Sequence, residues 1–246
     1  GKTSTMTTST TTTTATTTTT TTTTTMCPSD VTSGLLHQYL FNNSMTDTIS
    51  ANNLVGSASY EAGRLGSQCL QMTGNNSLSF PPGIYFYNSF TVSFWLKPNS
   101  NTLNEAIIDC SNGGYTDRVS VGIKNNNQAT VDMYTGQSNG QTNFFHGVHT
   151  FTAGTWVHIT ASYNGTDGKM YFDGTLRQSM KKTQVQNETT RSNCYLGTDE
   201  TLTDQMKFSI SDLRFYNSVL EDCEIEYLAG KTSTMTTSTT TTTATT

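Results

Sequence analysis

Threonine-rich sequence occupies both ends of this 246-residue chain and limits where a folded core can form. Nineteen of the first 25 residues are threonine, and residues 230–246 repeat residues 1–17 without a difference, as GKTSTMTTSTTTTTATT. Such a tract has too few apolar side chains to build a core, and β-branched threonine favours extended backbone. We therefore expect one folded domain at residues 27–229, between linkers at residues 1–26 and 230–246.

The register of the duplicated ends indicates a tandem array. Low complexity alone would align the threonines, but the glycine, lysine, methionine, serine and alanine residues also coincide, at an offset of 229 residues. A fixed internal period is typical of repeat proteins. The sequence thus predicts units of a linker followed by a folded domain, and residues 230–246 begin the next linker. Duplicated low-complexity sequence at the two ends of an isolated protein is the alternative.

The linkers are also predicted to carry sugars. Ser/Thr-rich segments of secreted proteins are typically O-glycosylated stalks. Sugars on consecutive residues would hold the backbone extended, so that the linkers would act as rods. The predicted O-glycosylation sites are Thr10, Thr11, Thr12, Thr13, Thr14, Thr16, Thr17, Thr18, Thr19, Thr20, Thr21, Thr22, Thr23, Thr24 and Thr25.

The charge and hydropathy of the chain exclude two classes of partner. The two ends contribute two lysines and no acid, so the remaining 11 basic and 18 acidic residues give the domain a net charge of −7. Such an acidic domain offers no electrostatic footprint for nucleic acid. No run of 18 apolar residues occurs, so no membrane span is predicted.

Alternating apolar and polar residues predict an all-β domain. The clearest runs are FTVSFWLK (90–97), RVSVGIK (118–124), ATVDMYT (129–135), WVHITASY (156–163) and KMYFDGTL (169–176). Asn164-Gly165 and Asp173-Gly174 are typical hairpin turns. Strands at this spacing favour a two-sheet antiparallel sandwich or jelly roll. A short helix is predicted over residues 219–228, with Gly230 as its C-cap.

The order of several segments resembles the laminin G-like jelly-roll domains of the concanavalin A-like lectin/glucanase superfamily. The resemblance covers about residues 34–228. Because this fold hosts lectins, adhesion modules, hydrolases and inert spacers, it implies a fold and no single function. The segments that carry it are GLLHQYLFN (34–42), GRLGSQCLQMTG (63–74), FTVSFWLKP (90–98), GTWVHITASYNG (154–165), KMYFDG (169–174), CYLGT (194–198) and ISDLRFYNSVLEDCEI (210–225).

Five cysteines suggest two disulfides. Because the termini of a jelly roll commonly lie side by side, we expect a Cys27–Cys223 bond. Cys110 and Cys194 share strand faces with neighbouring apolar residues and form the second expected pair. Cys69 is then a buried thiol or the site of an intermolecular bridge.

Four N-x-S/T sequons agree with an oxidising, extracellular compartment. They predict N-glycosylation at Asn42, Asn75, Asn164 and Asn187.

No catalytic residue, cofactor or firm metal site is predicted. No strand carries the Glu-x-Asp-x-x-Glu pattern that glucanases of the superfamily use for acid and nucleophile. Some laminin G-like domains bind calcium through loop aspartates, and Asp117 and Asp199 stand at suitable positions. Two turn-forming aspartates are the alternative. Sugar-binding platforms could come from Trp95, Trp156, Tyr85, Tyr87 and Tyr134.

These observations favour a structural function over an enzymatic one. We expect a repeat of an extracellular glycoprotein filament, in which disulfide-closed domains alternate with glycan-stiffened threonine rods. Its partners would be copies of itself and its covalent glycans. The alternative is a carbohydrate-binding or adhesion module on a mucin-like stalk.

Overall fold

The computed structural model describes residues 15–27, 30–100, 104, 106–124, 128–134, 142–181, 188–202, 206–232 and 234–245. The chain divides into two compact units. One consists of Gly1–Cys27 with Ser233–Thr246, and the other of Pro28–Thr232.

Strands dominate the described residues. The strands of the first half are β1 (Ala15–Met26), β2 (Leu35–Tyr39), β3 (Val55–Gly56), β4 (Ser59–Ala62), β5 (Gln68–Thr73), β6 (Leu78–Phe80), β7 (Phe90–Pro98), β8 (Ala106–Ser111) and β9 (Val119–Lys124). Those of the second half are β10 (Gln128–Tyr134), β11 (Thr142–Val148), β12 (Val157–Tyr163), β13 (Asp167–Phe172), β14 (Thr175–Lys181), β15 (Asn193–Leu196), β16 (Lys207–Tyr216) and β17 (Thr234–Thr245). A 3-10 turn spans Arg64–Gly66, and helix α1 spans Asp222–Leu228.

In the first unit, the two threonine tracts pair with each other. Strand β1 lies antiparallel to β17, from Ala15 opposite Thr245 to Met26 opposite Thr234. Contrary to the expectation of separate rods, the structure joins the tracts in a two-stranded sheet. The sequence of β17, TMTTSTTTTTAT, also occurs at residues 5–16, within the tract that precedes the domain.

The second unit is a sandwich of two antiparallel sheets. The seven-stranded sheet has the order β11-β10-β9-β8-β15-β6-β3. The eight-stranded sheet has the order β14-β13-β12-β7-β16-β5-β4, and its eighth strand, β2, also pairs with β16. The predicted all-β class and two-sheet jelly-roll architecture are confirmed.

The core lies between the sheets and follows the alternation of the strands. Phe94 and Leu96 of β7 face inward beside Ile159 of β12, which pairs with Phe94. The opposite faces of these strands carry Trp95 and His158, which pair with each other on the outside of the eight-stranded sheet. The structure thus shows which face of each strand is core, a choice that the alternation by itself leaves open.

Helix α1 packs on the outer face of the eight-stranded sheet. It begins at Asp222, later than predicted, because Leu220 is still extended and its N–H donates to Thr91 Oγ1 over 3.2 Å. Glu221 and Glu224 form a capping box at its start. At its end, Gly230 follows the C-cap residue Ala229 with a left-handed φ of 76°. Such a backbone is easiest for glycine. No helix among the described residues is long and apolar enough to cross a membrane.

The structure contains one of the two expected disulfides. Cys110 of β8 and Cys194 of β15 are bonded, and they stand opposite each other on paired strands. The predicted Cys27–Cys223 bond is wrong, because neither residue is in a disulfide. Cys223 lies on the buried face of α1, 7% exposed, and its side chain is directed into the protein. Cys69 is a buried thiol, and burial raises its pKa.

A fully buried arginine holds three loops together beside the core. The Arg191 guanidinium donates to the carbonyl oxygens of Asp117 at 2.6 Å, Phe86 at 3.2 Å and Thr189 at 3.4 Å. Its backbone exchanges two hydrogen bonds with Gly83. Burial lowers its pKa to about 10, which leaves it charged at neutral pH.

Candidate functional site

The outer face of the seven-stranded sheet carries a small polar groove, the Arg118 groove. Its volume is about 160 Å³. Because basic, acidic and hydroxyl side chains line the groove, it is rich in hydrogen-bond donors and acceptors. Its polar lining includes Arg118, Ser120, Lys124, Thr130, Asp132 and Asp199.

Strand alternation places these side chains in the groove. On β9, Val119 and Val121 point into the core, so Ser120 and Lys124 point outward. Strand β10 pairs with β9 in antiparallel register, with Asp132 opposite Ser120. The polar positions of the two strands therefore form one continuous outer surface.

Arg118 is the central cation of the groove. Its Nε donates to Asp109 Oδ1 over 2.7 Å, and an NH group lies 3.5 Å from Asp199 Oδ2. The guanidinium carbon lies 5.7 Å from the ring centre of Tyr115 and 5.9 Å from that of Tyr134. The centres of the two rings are 4.9 Å apart. The arginine is thus held by two carboxylates beside a pair of aromatic rings.

Asp109 anchors Arg118 from beneath the sheet surface. The side chain is fully buried, and burial raises the pKa of its carboxyl to about 6, although Arg118 opposes that shift. Its Oδ2 has no hydrogen-bond partner among the described residues. Since the carboxyl cannot reach solvent, it positions the guanidinium rather than a ligand.

A second ion pair lies at the far end of the groove. Lys124 Nζ is 2.7 Å from Asp132 Oδ2, and the lysine is exposed while the aspartate is largely buried. Charged donors, hydroxyl groups and aromatic rings together suit a ligand that carries many hydroxyl groups.

The aromatic residues proposed from sequence are dispersed by the fold. Only Tyr134 belongs to the Arg118 groove. Tyr85 is buried in the core and Tyr87 is half-buried elsewhere. Trp95 lies beneath Arg64, and the ring centre of Trp156 lies 5.4 Å from Lys97 Nζ.

Most residues of the Arg118 groove are not identified as binding residues from the sequence. Tyr115, Arg118 and Lys124 were not proposed as binding residues. The alternation of RVSVGIK was a usable signal, because it separates Ser120 and Lys124 from the apolar face. The alternation of one strand does not show which strand lies beside it, and the groove is complete only when β10 pairs with β9.

The two aspartates considered for calcium take other partners. Asp117 Oδ2 accepts from Asn112 Nδ2 over 3.3 Å, and Asp199 caps its own turn by accepting from Thr201 N over 2.9 Å. Asp199 also faces Arg118, a cation already present. Among the described residues, no group of three or more His, Cys, Asp or Glu side chains could hold a metal. The calcium hypothesis gains no support from this geometry.

Three predicted N-glycosylation sites lie at the surface. Asn42, Asn75 and Asn164 are exposed, and Asn187 lies outside the described residues. Among the predicted O-glycosylation sites, Thr10 to Thr14 also lie outside them, and the remaining ones belong to β1. Glycosylation of all these positions stays a prediction.

Comparison with known proteins agrees with this architecture. The family model described as concanavalin A-like lectin/glucanases superfamily matches residues 72–226, more than half of the chain. The chain belongs to this superfamily. No curated protein sequence matches it.

Solved structures with the same fold include domains of two different kinds. Domain 4 of an extracellular arabinanase from Geobacillus stearothermophilus, solved with arabinotriose, is 20% identical with a TM-score of 0.66, and the match covers 79% of this chain and 98% of that domain. The binding domain of botulinum neurotoxin DC, solved with rat synaptotagmin II, is 17% identical with a TM-score of 0.63. That match covers 80% of this chain but about half (51%) of the toxin domain. At these identities, the likeness shows the fold alone.

Proposed function

We propose that this superfamily member is a structural repeat of an extracellular glycoprotein filament and that its threonine tracts join successive units. The observation that carries the proposal is the pairing of β1 with β17, whose sequence recurs at residues 5–16. The tract at residues 1–26 therefore contains the sequences of both partners of this sheet, that of β17 at residues 5–16 and that of β1 at residues 15–26.

A tract that contains both strand sequences can pair with two other tracts, so that units can be added to the assembly indefinitely. The second half of one tract pairs with the first half of another, and the remaining halves stay available for further units. Such a head-to-tail contact is heterologous and generates open polymers when it does not close into a ring. The unpaired edges of a two-stranded sheet also add strands readily. The Cys110–Cys194 disulfide supports an oxidising, extracellular setting for the assembly.

Cross-linking between chains tests this joint. Thr20 stands opposite Thr240, so chains with Thr20→Cys and chains with Thr240→Cys, both in a Cys27→Ser background, are refolded together. We expect disulfide-linked dimers of the two chains, because one chain's β1 pairs with the other chain's β17. The measurement is the mass of oxidised species on a non-reducing gel.

The matched control replaces Thr240→Cys by Thr236→Cys. Thr236 stands opposite Thr24, four residues from Thr20 and thus about 13 Å along the strand. Dimers should be several-fold fewer with this pair. Equal yields for both pairs, or no dimers with either, would refute exchange of strands between units.

The second candidate function is a carbohydrate-binding module, and the Arg118 groove favours it. The arabinanase domain with the same fold was solved with arabinotriose, which makes a neutral oligosaccharide a reasonable ligand class. Arg118 would donate to sugar hydroxyl groups while Asp109 and Asp199 hold it in place, and Tyr115 and Tyr134 would contact the apolar face of a sugar ring. The proposal assigns no catalytic step to this site.

Removal of the central cation tests the groove. We expect Arg118→Met to weaken binding of arabinotriose, or of another oligosaccharide found by glycan-array screening, by roughly 10- to 100-fold, because hydrogen bonds from a charged donor contribute about 1.5–3 kcal/mol. Titration calorimetry measures the change. Arg177→Met, which removes an exposed arginine on β14, should bind like the wild type. Equal affinity of the Arg118→Met protein would reject the groove as the site.

A further inference from the structure

We propose that a second groove, on the outer face of the eight-stranded sheet, binds the anionic group of an acidic sugar through Arg64. This Arg64 groove has a volume of about 550 Å³, within the range of small-molecule sites. It lies on the sheet opposite the one that carries the Arg118 groove. Its lining includes Arg64, Leu65, Trp95, Asp212, Arg214 and Tyr227.

Arg64 is held in place but is not hydrogen-bonded. Its guanidinium carbon lies 3.1 Å from the ring centre of Trp95, which leaves Trp95 only 8% exposed. Among the described residues, the Arg64 guanidinium makes no hydrogen bond and no ion pair within 4.0 Å. A guanidinium stacked on an indole keeps its N–H donors at the edge of its plane. These donors match the two oxygens of a carboxylate or sulfate group.

Arg64 also has no carboxylate in ion-pair contact among the described residues. The neighbouring Arg214 donates from Nε and from an NH group to the two carboxylate oxygens of Asp212, over 2.8 and 2.9 Å. Asp212 and Asp173 both interact with Arg64 only at longer range. An anion on Arg64 would therefore bind N–H donors that no carboxylate of the groove occupies.

The rim of the groove suits a sugar ring. Leu40 and Tyr227 are exposed, and Leu65 is 95% exposed although it is a large apolar residue. Polar groups of Ser67 and Ser211 lie among them. A pyranose ring offers an apolar face for the rim and hydroxyl groups for the serines, and an acidic sugar adds the charge for Arg64.

Two residues of the groove lining have a strained backbone. Leu65 has φ of 52° and Asp212 has φ of 51°, both in the left-handed region that non-glycine residues seldom adopt. The strained Leu65 raises its side chain at the rim, next to Arg64. The strained Asp212 lies where the register of β16 against β7 shifts, which brings it beside Arg214. Strain of this kind is commonly found at functional sites.

An extended peptide is a poorer fit to this groove. The strands beneath it are β7 and β16. Strand β7 is paired on both sides, by β12 and β16, and β16 is paired with β7 on one side and with β5 and β2 on the other. No free strand edge is therefore available for β-augmentation, and recognition has to use side chains.

Binding of charged and uncharged oligosaccharides tests the site. The probes are hexagalacturonate, which carries carboxylates, the same oligosaccharide with its carboxylates methyl-esterified, which is uncharged, and a heparin-derived sulfated hexasaccharide. The whole chain is used with Ser44→Ala, which removes the sequon at Asn42, another lining residue. We expect the chain to bind at least one charged probe and to bind the methyl-esterified one at least tenfold more weakly.

The variants distinguish a specific contribution of Arg64 from a general effect of the positive charge of the protein. Arg64→Met and Arg64→Gln should each weaken binding of the charged probe at least tenfold, while Arg177→Met removes the same charge elsewhere and should leave the affinity unchanged. Equal losses for Arg64→Met and Arg177→Met, no binding of either charged probe, or tighter binding of an oligoglutamate peptide would overturn the proposal. Unfolding curves of the Arg64 variants show whether they remain folded.

Discussion

Removal of the Cys110–Cys194 disulfide is expected to lower the free energy of unfolding by about 4 to 5 kcal/mol. The two cysteines are 84 residues apart, so the bond closes a long loop and strongly restricts the unfolded chain. This is a large share of the roughly 5–15 kcal/mol by which domains are stable. Denaturant unfolding of the Cys110→Ala/Cys194→Ala protein, followed by tryptophan fluorescence, measures the change.

A reductant and a third cysteine provide the controls. Reduction should destabilise the wild type by a similar amount and leave the double variant unchanged. Cys69→Ala, which shortens a buried side chain outside any disulfide, should cost only about 1 to 2 kcal/mol. If the wild type unfolds at the same denaturant concentration with and without reductant, the disulfide does not stabilise the domain.

Substitution of the buried Arg191 by methionine is expected to cost about 3 to 5 kcal/mol. The guanidinium is the donor for the carbonyl groups of Asp117, Phe86 and Thr189. Methionine fills much of the volume but donates no hydrogen bond, so the buried Phe86 carbonyl and the half-buried carbonyls of Asp117 and Thr189 would lose this donor. The cost is partly offset because a charge no longer has to be buried.

Lysine at the same position distinguishes charge from geometry. Arg191→Lys keeps the charge, but its single nitrogen cannot occupy the positions of both Nε and the NH group that bind the carbonyls. We expect it to lose about half as much stability. Arg177→Met, at an exposed position, should change stability by less than about 0.5 kcal/mol. Equal stability of the Arg191→Met and Arg177→Met proteins in denaturant unfolding would contradict the role of Arg191.

The fold was largely accessible from local sequence patterns. The alternation in FTVSFWLK and WVHITASY predicted strands β7 and β12, and Asn164-Gly165 and Asp173-Gly174 marked the turns on either side of β13. These features depend on residues close together in the chain. The Cys110–Cys194 bond was predicted because each cysteine shares a strand face with apolar neighbours.

The errors came from contacts between distant parts of the chain. The expected Cys27–Cys223 bond relied on a general tendency of jelly-roll termini, and the burial of Cys223 on α1 could not be derived from spacing. Likewise, the stacking of Arg64 on Trp95 joins a 3-10 turn to a strand far along the sequence. Tryptophan was therefore proposed as an open platform, although an arginine covers it.

The sequence by itself determined an all-β domain between two copies of one threonine tract, because strand alternation and repetition are properties of neighbouring residues. Only the tertiary structure decided which outward-facing residues meet to form the Arg118 and Arg64 grooves. Each groove combines side chains from strands and loops distant in sequence, and their meeting depends on the register of non-local strand pairs. The pairing of β1 with β17 was decided in the same way, because threonine repeats offer many registers and only the paired strands select one.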